Sequence, residues 1–138
     1  MSLIEDFRDL RVYQRAFETA LRVFELSKVW PAEERFALTD QVRRSSRAVC
    51  ANIAEAWFKR RYPKHFVSKL SDAASETAET MVWVDFAEEC GYLDGETAEH
   101  LREACHSVSG GLVKMMAHAD DWCGPASLRE EPADYDIA

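Results

Sequence analysis

Apolar residues recur at steps of three and four along most of this chain, and that spacing marks helical faces. The cleanest run is Ala98, Leu101, Cys105, Val108, Leu112, Met115, Ala119 and Trp122, which predicts a helix over about 95–122 with Asp94 as its cap. A second run, Leu38, Val42, Ser45, Ser46, Val49, Ile53, Ala56 and Trp57, falls within about 120° on a helical wheel of 3.6 residues per turn. It predicts the core face of a helix over about 31–61, with Pro31 at its first position and Glu33 and Glu34 near its positive end. Phe66, Leu70, Ala73, Thr77, Met81, Val84 and Ala87 predict a third helix over 63–90, closed by Gly91. For the first, over 10–29, the expected face is Leu10, Tyr13, Phe17, Ala20, Leu21 and Phe24, flanked by Val12, Ala16 and Val23, with Asp9 as N-cap. Trp30-Pro31 and Tyr62-Pro63 separate the helices, because the residue before proline avoids the helical region. Short connections and a heptad seam imply an all-α, up-down-up-down antiparallel four-helix bundle over 1–123. Residues 124–138 carry two prolines and four acids and read as a mobile acidic tail. Gly110-Gly111 lies inside the fourth helix, where glycine costs about 1 kcal/mol against alanine, so a close helix approach or a local bend is expected there.

A second strip borders the core face of the central helix: Gln41, Arg44, Ala48, Asn52 and Glu55. Arg44 and Glu55 are three turns apart and cannot pair with each other. A buried charge is costly unless paired, so each needs a partner from another helix or another subunit. Two readings stay open: a subunit interface built from Gln41, Arg44, Asn52 and Glu55, or a charge network within one bundle.

Composition narrows the function. Apolar residues are 47% and charged residues 30%, ordinary for a soluble domain. No run approaches the roughly 20 apolar residues of a membrane span, and no signal-peptide pattern opens the chain; a cytoplasmic protein is expected. Cysteines 50, 90, 105 and 123 form no C-x-x-C pair and are expected as reduced thiols. Glu103-x-x-His106 has di-iron ligand spacing, but it has no second copy and lies off the seam, so no metal or cofactor is expected. No nucleophile elbow, phosphate loop or dinucleotide fingerprint occurs, and no enzyme activity is expected.

The formal charge of −8 argues against a generic nucleic-acid binder. Its distribution changes that picture. Residues 35–64 hold eight bases and two acids, +6, which leaves −14 for the rest. Within them, Trp57-Phe58-Lys59-Arg60-Arg61-Tyr62-Pro63-Lys64-His65-Phe66 mixes cations with aromatics that can stack on unpaired bases. Arg43, Arg47, Lys59, Arg60, Arg61 and Lys64 are the candidate nucleic-acid contacts. The plainer alternative makes Trp57 and Phe66 core and the bases a solvated helix end, or partners for acids within an oligomer.

Gln41-Val42-Arg43-Arg44-Ser45-Ser46 followed by Asn52-Ile53-Ala54-Glu55 resembles the core motif of the bacterial four-helix-bundle proteins, also called intervening-sequence proteins after reading frames inserted in 23S ribosomal RNA genes. Phe7, Leu10, Val12, Tyr13, Gln14 and Ala16 are similar to the family's opening; Glu79 and Cys90-Gly91-Tyr92-Leu93 fit downstream. Ala56 replaces a family glycine, Ala48 a usual serine, and Ala73-Ala74-Ser75-Glu76 departs from an A-x-G-S pattern, so helix contacts are expected to differ there. The resemblance implies a homopentamer of antiparallel bundles. It also implies kinship with the accessory variability determinant of diversity-generating retroelements, a basic pentamer that binds nucleic acid and a reverse transcriptase. The expectation is a non-enzymatic homo-oligomer associated with RNA or a ribonucleoprotein; the alternative is a protein–protein scaffold without nucleic acid.

Overall fold

A computed structural model describes residues 4–124. The expected tail lies outside them, apart from Gly124. Four long helices, α1 (Arg11–Ser27), α2 (Leu38–Phe58), α3 (Pro63–Glu89) and α4 (Gly95–Ala117), are followed by a short α5 (Ala119–Cys123). Successive helices pack together and α1 closes onto α4. Each pairing is antiparallel: Arg43 of α2 meets Ser27 at the end of α1, and Arg44 and Glu55 of α2 meet Glu79 and Lys69 of α3 in reverse order. Arg102 of α4 ties three carboxylates together, Asp85 and Glu88 of α3 and Glu99 of its own helix, at 2.8–3.1 Å.

The helix ends follow local chemistry. Asp94 accepts from the Thr97 amide at 2.7 Å, and that bond holds its carboxyl below the usual range. Gly91, at φ +81°, turns the chain out of α3. Three boundaries differ from expectation. Asp9 caps backwards: its carboxylate accepts from the amides of Glu5 and Asp6 and closes a 3-10 turn at Phe7–Asp9, while extended Leu10 starts α1. Pro31 does not begin α2. A 3-10 turn, Ala32–Glu34, comes first, and Ala37 lies off the helical region at φ −124°, ψ −106°. That segment is held by Glu34, which accepts from the Leu38 amide and from the Tyr92 hydroxyl. The fourth helix stops at Ala117, and His118 at φ −113° redirects the chain into α5.

The expected core faces of α2 and α4 are the buried ones, except that Ala119 and Trp122 on α5 are only partly covered. On α1 the expectation holds for Leu10 and Ala20 and fails for the bulky residues between and beyond them. Val12, Ala16, Thr19, Ala20, Val23 and Ser27 are buried, whereas Phe17 and Leu21 are 46% and 52% exposed. Volume decides this. A Cβ built on Gly111 of α4 would lie 3.1 Å from Val12 Cγ2, so α1 approaches through its small residues and its bulky ones swing aside. The two glycines therefore separate. Gly110 faces open space, and Gly110→Ala should raise stability by about 1 kcal/mol, roughly 4 °C in Tm by calorimetry. Gly111→Ala should lose that gain, because the β-branched Val12 cannot rotate away; equal gains for both would show that the helices are not in close contact.

The core has two apolar halves. One gathers Leu10, Val12, Ile53, Phe66, Leu70 and Leu112; the other gathers Val23, Trp30, Leu38, Val42, Val84 and Leu101. Between them lies a band of buried hydroxyls, Thr19, Ser45, Ser46, Thr77 and Thr80. Ser45 and Thr80 hydrogen-bond across α2 and α3 at 2.8 Å, and Thr77 and Thr80 donate to carbonyls of their own helix. A void of about 10 Å³ lies in this band, lined by Ser46, Thr77 and Thr80 among others.

Candidate nucleic-acid interface

The most basic surface forms where α2 turns into α3. Lys59 ends α2 at φ −106°, ψ 17°, and Tyr62, extended before Pro63, delivers the chain into the first turn of α3. Trp57 and Phe66, 5% and 0% exposed, are the floor beneath this turn. Above it Lys59 is half-buried, and Arg61, Lys64 and His65 are exposed. Phe58 is 73% exposed with its ring edge-on to Phe7, and the rings of Tyr62 and His65 lie 5.5 Å apart. Cations therefore alternate with accessible rings over one short loop.

The six candidate cations are not brought together. Arg60 is committed to the fold: its guanidinium lies 3.4 Å from the Trp57 ring centroid, and its Nε donates to the Trp57 carbonyl at 2.8 Å. Burial pulls its pKa down. Arg43 and Arg47 sit on the α1 side, over the Phe24 ring at 4.8 and 5.5 Å, with Arg43 also donating to Ser27. Arg47 precedes Lys59 by twelve residues, about 18 Å along the helix. Lys59, Arg61 and Lys64 thus form one group and Arg43 and Arg47 another.

The polar strip of α2 finds its partners within the chain. Arg44 donates to Glu79 at 2.6 Å and to Glu76 at 3.3 Å. These bonds raise the Arg44 pKa and lower that of Glu79. Glu55 pairs with Lys69 at 2.9 Å, which raises the Lys69 pKa. Arg44 and Glu55 keep 47% and 53% of their side-chain surface, while Gln41 and Asn52 are half-buried. The charge network of one bundle is therefore present, and these charges need no second subunit to satisfy them. Pairs this exposed contribute about 0.2–1 kcal/mol each.

Two features escaped the sequence reading. The bulky residues of the expected α1 face, Tyr13, Phe17, Leu21 and Phe24, line a groove of about 400 Å³ with Arg47 and Cys50. Their apolar spacing matched a core face, and only the neighbouring helix could show which of two adjacent stripes it covers. A second groove, of about 310 Å³, runs between α2 and α3 past Gln41, Trp83 and Phe86.

Among the described residues no cluster of three or more His, Cys, Asp or Glu side chains could hold a metal, and no helix is long and apolar enough to cross a membrane. Glu103 and His106 are both exposed. Cys50, Cys90 and Cys105 are free thiols, and burial pushes those of Cys50 and Cys105 up to about 11, away from reactive thiolate.

Residues 8–114 match the family described as 23S rRNA-intervening sequence protein. Among solved structures, the chain is similar to a crystal structure from Bacteroides thetaiotaomicron of a protein with unknown function from the S23 ribosomal protein family. The two share 26% identity at a TM-score of 0.69, covering 77% of this chain and 95% of that one. No curated protein matches.

Proposed function

The chain belongs to the 23S rRNA-intervening sequence protein family, and from that premise we propose that it is a non-enzymatic, homo-oligomeric bundle that associates with RNA or a ribonucleoprotein through the α2–α3 turn. The observation that carries this reading is the turn itself. Lys59, Arg61 and Lys64 surround exposed Phe58 and the Tyr62–His65 ring pair, on a floor fixed by Trp57 and Phe66. A cationic loop with accessible rings suits single-stranded or looped RNA, where phosphates meet cations and unpaired bases meet rings. Arg43 and Arg47, on another face, are a second and separate contact. Self-association is supported by Phe17, Leu21, Phe36, Val82 and Phe86, all large, apolar and 45–87% exposed, which is more than isolated surface residues require.

The double substitution Lys59→Glu with Lys64→Glu tests the RNA reading. Against a single-stranded oligoribonucleotide, affinity should fall more than tenfold at 100 mM salt. The slope of log affinity against log salt should shrink by about 1.4, two single-strand phosphate contacts. Absence of binding by the unaltered protein at low salt would leave the protein–protein scaffold as the better reading. Light scattering that returned the single-chain mass of 15.8 kDa would overturn the oligomer.

A further inference from the structure

The basic turn and the point where the acidic segment leaves the bundle lie side by side. Once His118 has redirected the chain, α5 packs against α3. Trp122 sets its ring edge-on to Trp57, with centroids 6.5 Å apart, and Trp57 is the same ring that carries Arg60 on its face. Just beyond Trp122, Gly124 turns the chain at φ +75°. The segment that follows, 125–138, therefore starts beside the most cationic loop of the protein. It carries Glu130, Glu131, Asp134 and Asp136 against a single Arg129, net −3. From Gly124 the chain can reach at most about 20 Å to Glu130 and about 40 Å to Asp136, a span that covers the surroundings of the Trp57–Trp122 contact from which it starts.

We propose that residues 125–138 dock on the basic α2–α3 turn of their own chain and compete there with polyanionic ligands. The competition, though not the docking, rests on the RNA reading above. Short tethers give millimolar effective concentrations, enough for a few exposed ion pairs to occupy the turn much of the time at low salt. The same exposure makes the contact sensitive to screening, since charges separated by about 10 Å are largely uncoupled at 0.1 M. The segment weakens short anions most: a ligand with one or two phosphates competes poorly with it, whereas a longer strand that also stacks on Phe58 or Tyr62 displaces it more readily.

Two measurements on the full chain separate docking from competition. Zero-length carbodiimide coupling at low salt should join Lys59 or Lys64 to a carboxylate between Glu130 and Asp136. The product should run as a single chain on a denaturing gel and vanish in 0.5 M salt. Coupling of those carboxylates to Lys28, Lys69 or Lys114 as often as to the turn would overturn docking. The variant Glu130→Gln, Glu131→Gln, Asp134→Asn, Asp136→Asn should bind a single-stranded oligoribonucleotide about tenfold more tightly than the unaltered chain at 50 mM salt, with the difference gone at 0.5 M. Equal affinities would overturn competition. A cross-link at the turn with no RNA binding by either protein would establish docking and remove the RNA reading instead.

Discussion

Phe66→Ala should lower the free energy of unfolding by about 3–5 kcal/mol, read by denaturant titration followed through circular dichroism at fixed protein concentration. The ring is fully buried in the first turns of α3, within the apolar half that also contains Trp57, Leu70 and Leu112. Removing it deletes the transfer energy of an aromatic side chain and leaves a cavity that helices on several sides cannot all close. Phe66→Leu, which keeps most of the volume, should cost under about 1.5 kcal/mol. Because Tyr62, Pro63 and Lys64 are placed by the helix that Phe66 anchors, the alanine variant should also loosen the basic turn at temperatures where it is still folded, read as faster amide exchange over residues 59–66. A loss of stability below 1 kcal/mol would mean that the floor of the basic turn is looser than the packing indicates.

Ser45→Leu should destabilise by about 3 kcal/mol, the upper end of what overpacking costs. Ser45 is fully buried and its hydroxyl is 2.8 Å from that of Thr80, so α2 and α3 meet there with room for a small side chain only. Ser45→Ala should cost about 1 kcal/mol or less, because Thr80 keeps its bond to the Glu76 carbonyl and is not left unsatisfied. The two variants separate the lost hydrogen bond from the lost space. A leucine no worse than the alanine would mean that the two helices can part at this level.

The sequence revealed the bundle because period and volume agreed on α2, α3 and α4. Ile53, Val84 and Leu112 are core by spacing and core in fact. It misled on α1, where Tyr13, Phe17 and Phe24 form as good a stripe as Val12, Ala16 and Val23; the choice belongs to Gly111 on a helix about a hundred residues away. The helix starts failed for a related reason. Asp9 and Pro31 are sound capping residues, but what each does depends on Leu10 and Ala37 leaving the helical region, which no local propensity dictates. At the candidate site the cations were legible and their grouping was not. Arg60 looked like its neighbours until the Trp57 ring lay beneath it. The need of Arg44 and Glu55 for partners was legible, and α3 supplies them through Glu79 and Lys69.

The hydroxyl band gives the fold an index mark. Repeating apolar steps of three and four are nearly degenerate under translation: slide α3 one turn along α2, about 5.4 Å, and leucines meet valines as before. Ser45 against Thr80 breaks that degeneracy, since a slip of one turn would set buried hydroxyls against aliphatic side chains. The band thus costs apolar burial at the middle of the bundle and selects one alignment of the helices, and with it the one placement of Lys59, Lys64 and the Trp57 ring on which the basic turn depends.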